Sequence, residues 1–305
     1  MGSRQKLIKT ILPACLCVLA LLLAACGGTT NTPASTTKAA QSKQVLILPE
    51  AGVPDIATFD PGLSTDAPSI FAIDNVFTGL VELDDNGNVK GYLASSWDES
   101  ADHLTYTFHL RPNLKFSDGT TLTSADVAYS IDRALQPATK SGTGPYYLRY
   151  IKDATALAAG KIKTIIGDSI KTPDANTISI TAAAPAAFFL DALTYPCSYV
   201  LEKSLVDKYG NTGFTNHLTE GGGDGPFKVE EYTHSKQIVF VPNPLYYGPI
   251  PQLQKVIFPF YKDSDTTYNA YMSNQLSETG IPIADYPVAK TRSDFHSVPQ
   301  LWISY

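Results

Sequence analysis

Apolar residues recur along this chain with two periods, and the exchange between them predicts its elements. Residues 104–110 alternate, with Leu104, Tyr106, Phe108 and Leu110 on one side and Thr105, Thr107 and His109 on the other. That pattern predicts a half-buried strand. Thr177-Ile178-Ser179-Ile180-Thr181 predicts another, as do Phe227-Lys228-Val229, Gln237-Ile238-Val239-Phe240-Val241 and the run from Lys255 to Phe260. Val45-Leu46-Ile47-Leu48 is continuously apolar, which predicts a strand buried on both faces. Elsewhere the spacing is helical. Ile70, Ile73, Phe77 and Leu80 share one predicted helix face, and Val127, Ala128, Ile131, Ala134 and Leu135 another. Thr123 with Asp126 three residues on reads as a capping box that starts the second helix, and Gln136-Pro137 stops it. Pro185 predicts the first turn of a helix through Ala187, Phe188, Leu190 and Leu193. A further helix is expected over residues 201–209, with Gly210 as its cap. Asp85-Asn86-Gly87-Asn88 and Ser117-Asp118-Gly119-Thr120 read as tight turns. Strands and helices therefore exchange along the chain, which predicts an α/β protein.

The N-terminal apolar run is of another kind. Arg4, Lys6 and Lys9 precede apolar residues 11–23, interrupted at Pro13, and the run ends Leu23-Ala24-Ala25-Cys26-Gly27. A basic start, a short apolar core and small residues before a cysteine have the form of a bacterial lipobox. The expectation is a signal peptide at 1–25, removed to leave Cys26 as a lipidated N-terminus on the extracytoplasmic face of the membrane. Residues 26–44 follow as a tether. After Cys26 it holds no aromatic or large aliphatic residue, so it cannot bury enough apolar surface to become ordered. Flexible-chain scaling gives such a tether a reach of roughly 25 Å.

Removing that signal changes the charge. The loss of Arg4, Lys6 and Lys9 leaves 20 Lys and Arg against 29 Asp and Glu, a formal charge of −9. Such a surface argues against nucleic acid as a partner. Cys15 and Cys17 leave with the signal and Cys26 is acylated, so Cys197 stands alone and no disulfide forms within the chain. Its apolar neighbours make it a buried structural residue.

Motifs for catalysis and metal binding are not found. The histidines at 103, 109, 217, 234 and 296 form no close pair for zinc. There is no Gly-x-Ser-x-Gly elbow, and no carboxylate pair stands in an acid–base motif. Asp84, Asn86 and Asn88 alternate like a calcium loop, but Val89 stands where that loop needs glycine. Gly221-Gly222-Gly223-Asp224-Gly225-Pro226 lacks the Lys-Ser/Thr of a phosphate loop and precedes a strand, so it reads as a loop or hinge. No cofactor is implied.

One stretch is specific enough to suggest a family. Leu93-Ala94-Ser95-Ser96-Trp97 leads through Leu104-Thr105-Tyr106-Thr107-Phe108 and Phe116-Ser117-Asp118-Gly119-Thr120 to Leu122-Thr123-Ser124-Ala125-Asp126-Val127. This block resembles the signature of the family-five extracellular solute-binding proteins, the peptide- and nickel-binding receptors of ABC importers. Phe59-Asp60-Pro61, Thr78-Gly79-Leu80, Gly225-Pro226-Phe227 and Asn243-Pro244-Leu245-Tyr246-Tyr247 resemble further landmarks in the right order. Gly144-Pro145-Tyr146-Tyr147-Leu148 and the stretch from Lys203 to Gly210 are similar to the oligopeptide-binding branch.

The resemblance implies a two-lobed periplasmic-binding-protein-like fold of type II. Lobe I would comprise segments 45–70 and 184–262, with a small inserted α+β subdomain at 71–183. The far lobe would begin at 263–305 and be incomplete, since family members are longer. A C-terminally truncated product is therefore expected, with weak or no peptide binding. Trp97, Phe108 and Tyr129 are expected in the core of the small subdomain.

The implied ligand is a peptide held between lobes, with a permease and its ATPase as partners and a monomeric receptor. The resemblance places Ser64, Thr65, Asp66 and Ala67 at one cleft edge, Tyr146 against the ligand, and Glu278, Thr279 and Gly280 near the hinge-side wall. Plainer readings stand beside these: a surface loop at 64–67, a core aromatic at Tyr146 and a solvated Glu278. Two other functions remain open, a secreted hydrolase whose carboxylates carry no local signature and a non-transport sensor or inert remnant.

Overall fold

The computed structural model describes residues 44–297. The expected signal peptide at 1–25, the expected lipidation at Cys26, the expected tether up to residue 43 and the terminal residues 298–305 lie outside the described residues. Gln44, expected as the last tether residue, already belongs to the fold. It is buried, and its carbonyl accepts the Gln254 amide at 2.9 Å.

Strands β1 (Val45–Ile47) and β2 (Glu50–Ala51) open the fold, followed by a 3-10 turn at Pro61–Leu63 and helix α1 (Ala67–Val76). Strands β3 (Val81–Leu83), β4 (Val89–Gly91), β5 (Ala94–Glu99) and β6 (Thr105–Leu110) precede helix α2 (Ser124–Leu135). Then come β7 (Ile170–Asp174), β8 (Thr177–Thr181), helix α3 (Lys203–Tyr209) and strands β9 (Phe227–Thr233), β10 (Gln237–Pro242) and β11 (Lys255–Tyr261). Helix α4 (Ser264–Met272) follows.

These strands form three sheets. The largest runs β1-β11-β10-β9, with β2 also on β11. Both N-terminal strands pair with β11 in parallel, whereas β10 pairs antiparallel with β11 on one side and β9 on the other. A four-stranded antiparallel sheet runs β5-β6-β8-β7, and β3 with β4 makes a separate hairpin.

Two apolar clusters underlie these sheets. One gathers Leu80, Leu93, Phe108, Phe116, Ile131 and Ile178, with other residues between positions 80 and 200. The other joins Phe59, Ile73 and Phe77 to Leu201, Phe214, Phe240 and Phe258. The chain passes from the second cluster to the first between Phe77 and Leu80, and returns between Val200 and Leu201. The two crossings lie side by side, because the Val200 amide donates to the Thr78 carbonyl at 2.9 Å.

Local sequence accounts for several element ends. In β6 the alternation holds, with Tyr106, Phe108 and Leu110 buried. The α2 box forms as expected, since the Asp126 carboxylate accepts the Thr123 amide at 2.8 Å. Its apolar stripe is buried throughout, and the helix stops before Pro137. Asp84 accepts from the amides of Asn86 and Asn88 within the β3–β4 turn, so its oxygens serve the hairpin and hold no calcium loop together.

Four expectations need correction. β1 is not buried on both faces. All three residues are half-buried, because β1 lies at the end of the strand order, with Ser277 bonding Ile47 on its outer side. Helix α1 begins before Ile70 and ends before Leu80, since the Asp66 side chain caps the Ser69 amide at 3.0 Å and starts it early. The helix expected from Pro185 is a single turn, Phe189–Ala192. Its mixed burial explains why, with Phe189 buried and Phe188 about half exposed, so no continuous stripe supports a longer helix. Tyr129 packs on the second cluster, not with Trp97 and Phe108 on the first, because α2 lies between the two.

Candidate functional site

The segment expected at the cleft edge is built on a buried charge. Asp60 precedes the Pro61–Leu63 turn and accepts the Gly62 amide at 2.9 Å. The same carboxylate takes both terminal nitrogens of Arg133, from α2, at 3.0 and 2.6 Å. Arg133 donates in addition to the side chain and carbonyl of Asn211, and its guanidinium lies 5.2 Å from the Phe214 ring centroid. The pair is almost wholly excluded from water, with side-chain exposures of 5% and 2%. It fixes α2 to the loop that leads into residues 64–67.

Those four residues divide. Ser64 is fully buried, and its hydroxyl donates back to the Pro61 carbonyl at 3.1 Å. Thr65 and Ala67 are exposed. Asp66 spends Oδ1 on the α1 cap, while Oδ2 is buried with no hydrogen-bond partner. Glu50 stands close enough for burial, and then the Asp66 charge, to raise its carboxyl above the usual range.

An aromatic path joins this loop to Tyr146. The Tyr195 hydroxyl reaches the Ser64 carbonyl at 3.4 Å, and its ring stacks on Tyr147 at 3.9 Å. Tyr147 in turn meets Tyr146 edge-on at 5.0 Å. Tyr146 is 58% exposed, with the Arg149 guanidinium 5.0 Å from its ring centroid. The core reading of Tyr146 therefore fails. A large planar surface backed by a cation faces solvent there, a surface suited to apolar or aromatic groups.

Glu278, Thr279 and Gly280 stand elsewhere. Ser277 exchanges two hydrogen bonds with Ile47 on the outer side of β1, which carries the next residues along that strand. The Thr279 hydroxyl donates to Thr267 on α4 at 3.1 Å. With Tyr268, Tyr271 and Arg292 these residues line a cavity of about 610 Å³, and none of residues 64–67 or Tyr146 lines it. The structure thus gathers 64–67 with Tyr146, and sets 278–280 against a separate hollow. Asp294 on its rim is held well below the usual carboxylate range by bonds from Arg292 and Tyr271.

Sequence reasoning missed the Arg133 partner of Asp60, the Tyr195–Tyr147 stack and the position of Glu50. The first two link residues far apart in the chain and leave no local pattern. Among the described residues no group of three metal-ligating side chains is found, and no helix is long and apolar enough to cross a membrane. Cys197 is buried, and burial pushes its thiol up to about 12.

Residues 88–305 match the family model of the bacterial extracellular solute-binding proteins, family 5 Middle. The chain belongs to this family. A dipeptide-binding protein of Lactococcus lactis subsp. cremoris is 32% identical over 248 residues, which are 80% of this chain and 45% of that protein. The periplasmic oligopeptide-binding protein OppA of Salmonella typhimurium is 30% identical over 270 residues, covering 86% and 47%. The peptide-bound structure of Listeria monocytogenes OppA superposes with a TM-score of 0.73 at 25% identity, covering 82% of this chain and 49% of that one. The family-5 chain described here thus spans about half the length of the relatives it matches. Its fold is the α/β, type II periplasmic-binding-protein fold of these proteins, as the resemblance implied. Family members are extracytoplasmic solute-binding proteins.

Proposed function

We propose that this chain belongs to the receptor of an ABC importer, where it supplies part of a cleft that captures oligopeptides for a membrane permease and its ATPase. The observation that carries the reading is the family-5 match over residues 88–305, joined to relatives that are dipeptide- and oligopeptide-binding proteins. The geometry supports it. Thr65 and Ala67 are exposed, as is the ring of Tyr146, and the Tyr195–Tyr147 stack links the two places. A receptor for varied peptides gains affinity from the shared backbone and tolerance from loose side-chain pockets. In this reading Ser64, Thr65, Asp66, Ala67 and Tyr146 form one wall, Ser64 as its buried support, and Glu278, Thr279 and Gly280 the hinge side. Capture shifts the receptor toward its closed form with no covalent chemistry. Cys26 carries the lipid that holds a monomeric receptor at the extracytoplasmic face.

Photolabelling tests the reading. A tripeptide bearing benzoyl-phenylalanine, in large excess because a chain of half the relatives' length is expected to bind weakly, is irradiated with the full chain purified from its membrane. Adducts are expected on fragments containing residues 64–67 and Tyr146, competed by unlabelled tripeptides and not by a disaccharide. Labelling that tripeptides fail to displace, or that a sugar displaces, refutes it.

A further inference from the structure

Asp224 lies in the glycine loop between α3 and β9 and is 1% exposed. Its Oδ1 accepts the Thr78 amide at 3.0 Å, and its Oδ2 bonds the Thr78 hydroxyl. The loop is held against the end of α1. Gly225 donates to the Val76 carbonyl at 2.8 Å, and a Cβ on Gly223 would come within 2.3 Å of that same oxygen. Gly222, at φ +98°, makes the turn that brings Asp224 inward.

Thr78 is the residue at which the chain crosses between the two apolar clusters, and its carbonyl receives the amide of Val200, where the chain crosses back. Asp224 therefore fastens both crossings from a third segment. We propose that Asp224 is a proton-operated bolt at this junction: protonated it secures Thr78 and keeps the crossings together, and ionised it lets them loosen.

The surroundings supply the reason. The groups facing Asp224 are the hydroxyls of Tyr92, Tyr199, Tyr246 and Tyr247, with Glu82 beside the first three and, on α1, Asp74 bonded to Tyr199 and itself pushed up by burial to about 6. Glu202 and Asp118 stand at the far end of the glycine loop, where Glu202 accepts the Gly222 amide. Arg111 lies across the Tyr247 ring and donates to the Tyr92 carbonyl. Asp224 has no ion pair among the described residues, so ionising it strands a charge. Burial accordingly pushes its carboxyl up to about 7, against the opposing pull of the Thr78 bonds. In the protonated form the carboxyl hydrogen bonds the Thr78 oxygen.

The sign follows from linkage. A raised native value means that the closed junction binds its proton more tightly than an opened one. The stabilisation is complete below the ordinary carboxylate range, declines as pH rises through about 7, and then levels off. For an opened carboxyl of ordinary acidity, the opening constant rises on the order of 90-fold between pH 5 and pH 8.

Hydrogen-exchange mass spectrometry on the full chain reads this directly, as protection factors corrected for intrinsic exchange. Protection at residues 76–80, 198–202 and 221–226 is expected to fall by that factor between pH 5 and pH 8, and to lose most of that response in D224N, where Asp74 alone still titrates beside Tyr199. The wild-type profile suffices should D224N fold poorly. A wild-type junction whose protection does not change with pH overturns the proposal, as does a D224N protein that keeps the full pH response.

Discussion

Breaking the Asp60–Arg133 pair should be among the most costly single changes in the described fold. Arg133→Met keeps the length of the side chain and removes its charge. The carboxylate of Asp60 would then retain only the Gly62 amide, at 2% exposure, and Asn211 would lose both of its bonds to the guanidinium. Removing one partner of a buried pair costs about 3–5 kcal/mol, most of it from the charge left behind. For a body of this size each kcal/mol moves the melting temperature by about 2–4 °C, so a fall of roughly 6–20 °C is expected. Asp60→Leu should cost about the same, with the lost turn cap adding to it. The double variant Asp60→Leu/Arg133→Met strands no charge and should cost about 1–2 kcal/mol, less than either single change. Urea unfolding followed by tryptophan fluorescence measures all four proteins. Single variants that lose less than about 1 kcal/mol, or a double variant whose loss is the sum of the singles, would refute the reasoning.

Other outcomes follow from the same geometry. Gly225→Ala places a Cβ 2.6 Å from the Val76 carbonyl carbon and should cost about 1–3 kcal/mol in urea titrations, whereas Gly280→Ala meets no atom within 4 Å and should cost far less. Asp66→Ala removes the α1 cap and should lose about 1 kcal/mol, with amide exchange rising first at Ser69 and Ile70. Cys197 should resist Ellman's reagent at pH 8 at a rate set by unfolding alone, because its thiol is buried and held at about 12. Cys26→Ser should abolish palmitate incorporation and shift the protein from the membrane pellet to the supernatant.

What was legible in the sequence was whatever rests on neighbours in the chain. The strand at 105–110 announces itself by alternation, and α2 by a capping box at one end and a proline at the other. The family resemblance rests on such contiguous words, which is why it survived. Less was legible where a residue's fate depends on something distant. The continuous apolar run at 45–48 reads as an interior strand, yet sheet order makes it an edge, and order is set by β11 some two hundred residues later. The resemblance implied a cleft edge at Ser64–Ala67 without saying which side chains face outward, and a local bond to Pro61 turns Ser64 inward. Glycine spacing at 221–225 suggested freedom. The structure uses those glycines instead for close approach to α1, with Asp224 anchoring the loop.

The parallel pairing of Val45 with Lys255 has a consequence in time. The first strand among the described residues has no sheet partner until about 210 further residues exist. At 5–20 residues per second that interval is on the order of 10–40 s. The small antiparallel sheet, whose partners are much nearer in sequence, can settle long before the large one closes. A chain with this order of events stays unsealed at its leading end while it is being made, a state that a secretion pathway can thread across a bilayer and that premature closure would jam.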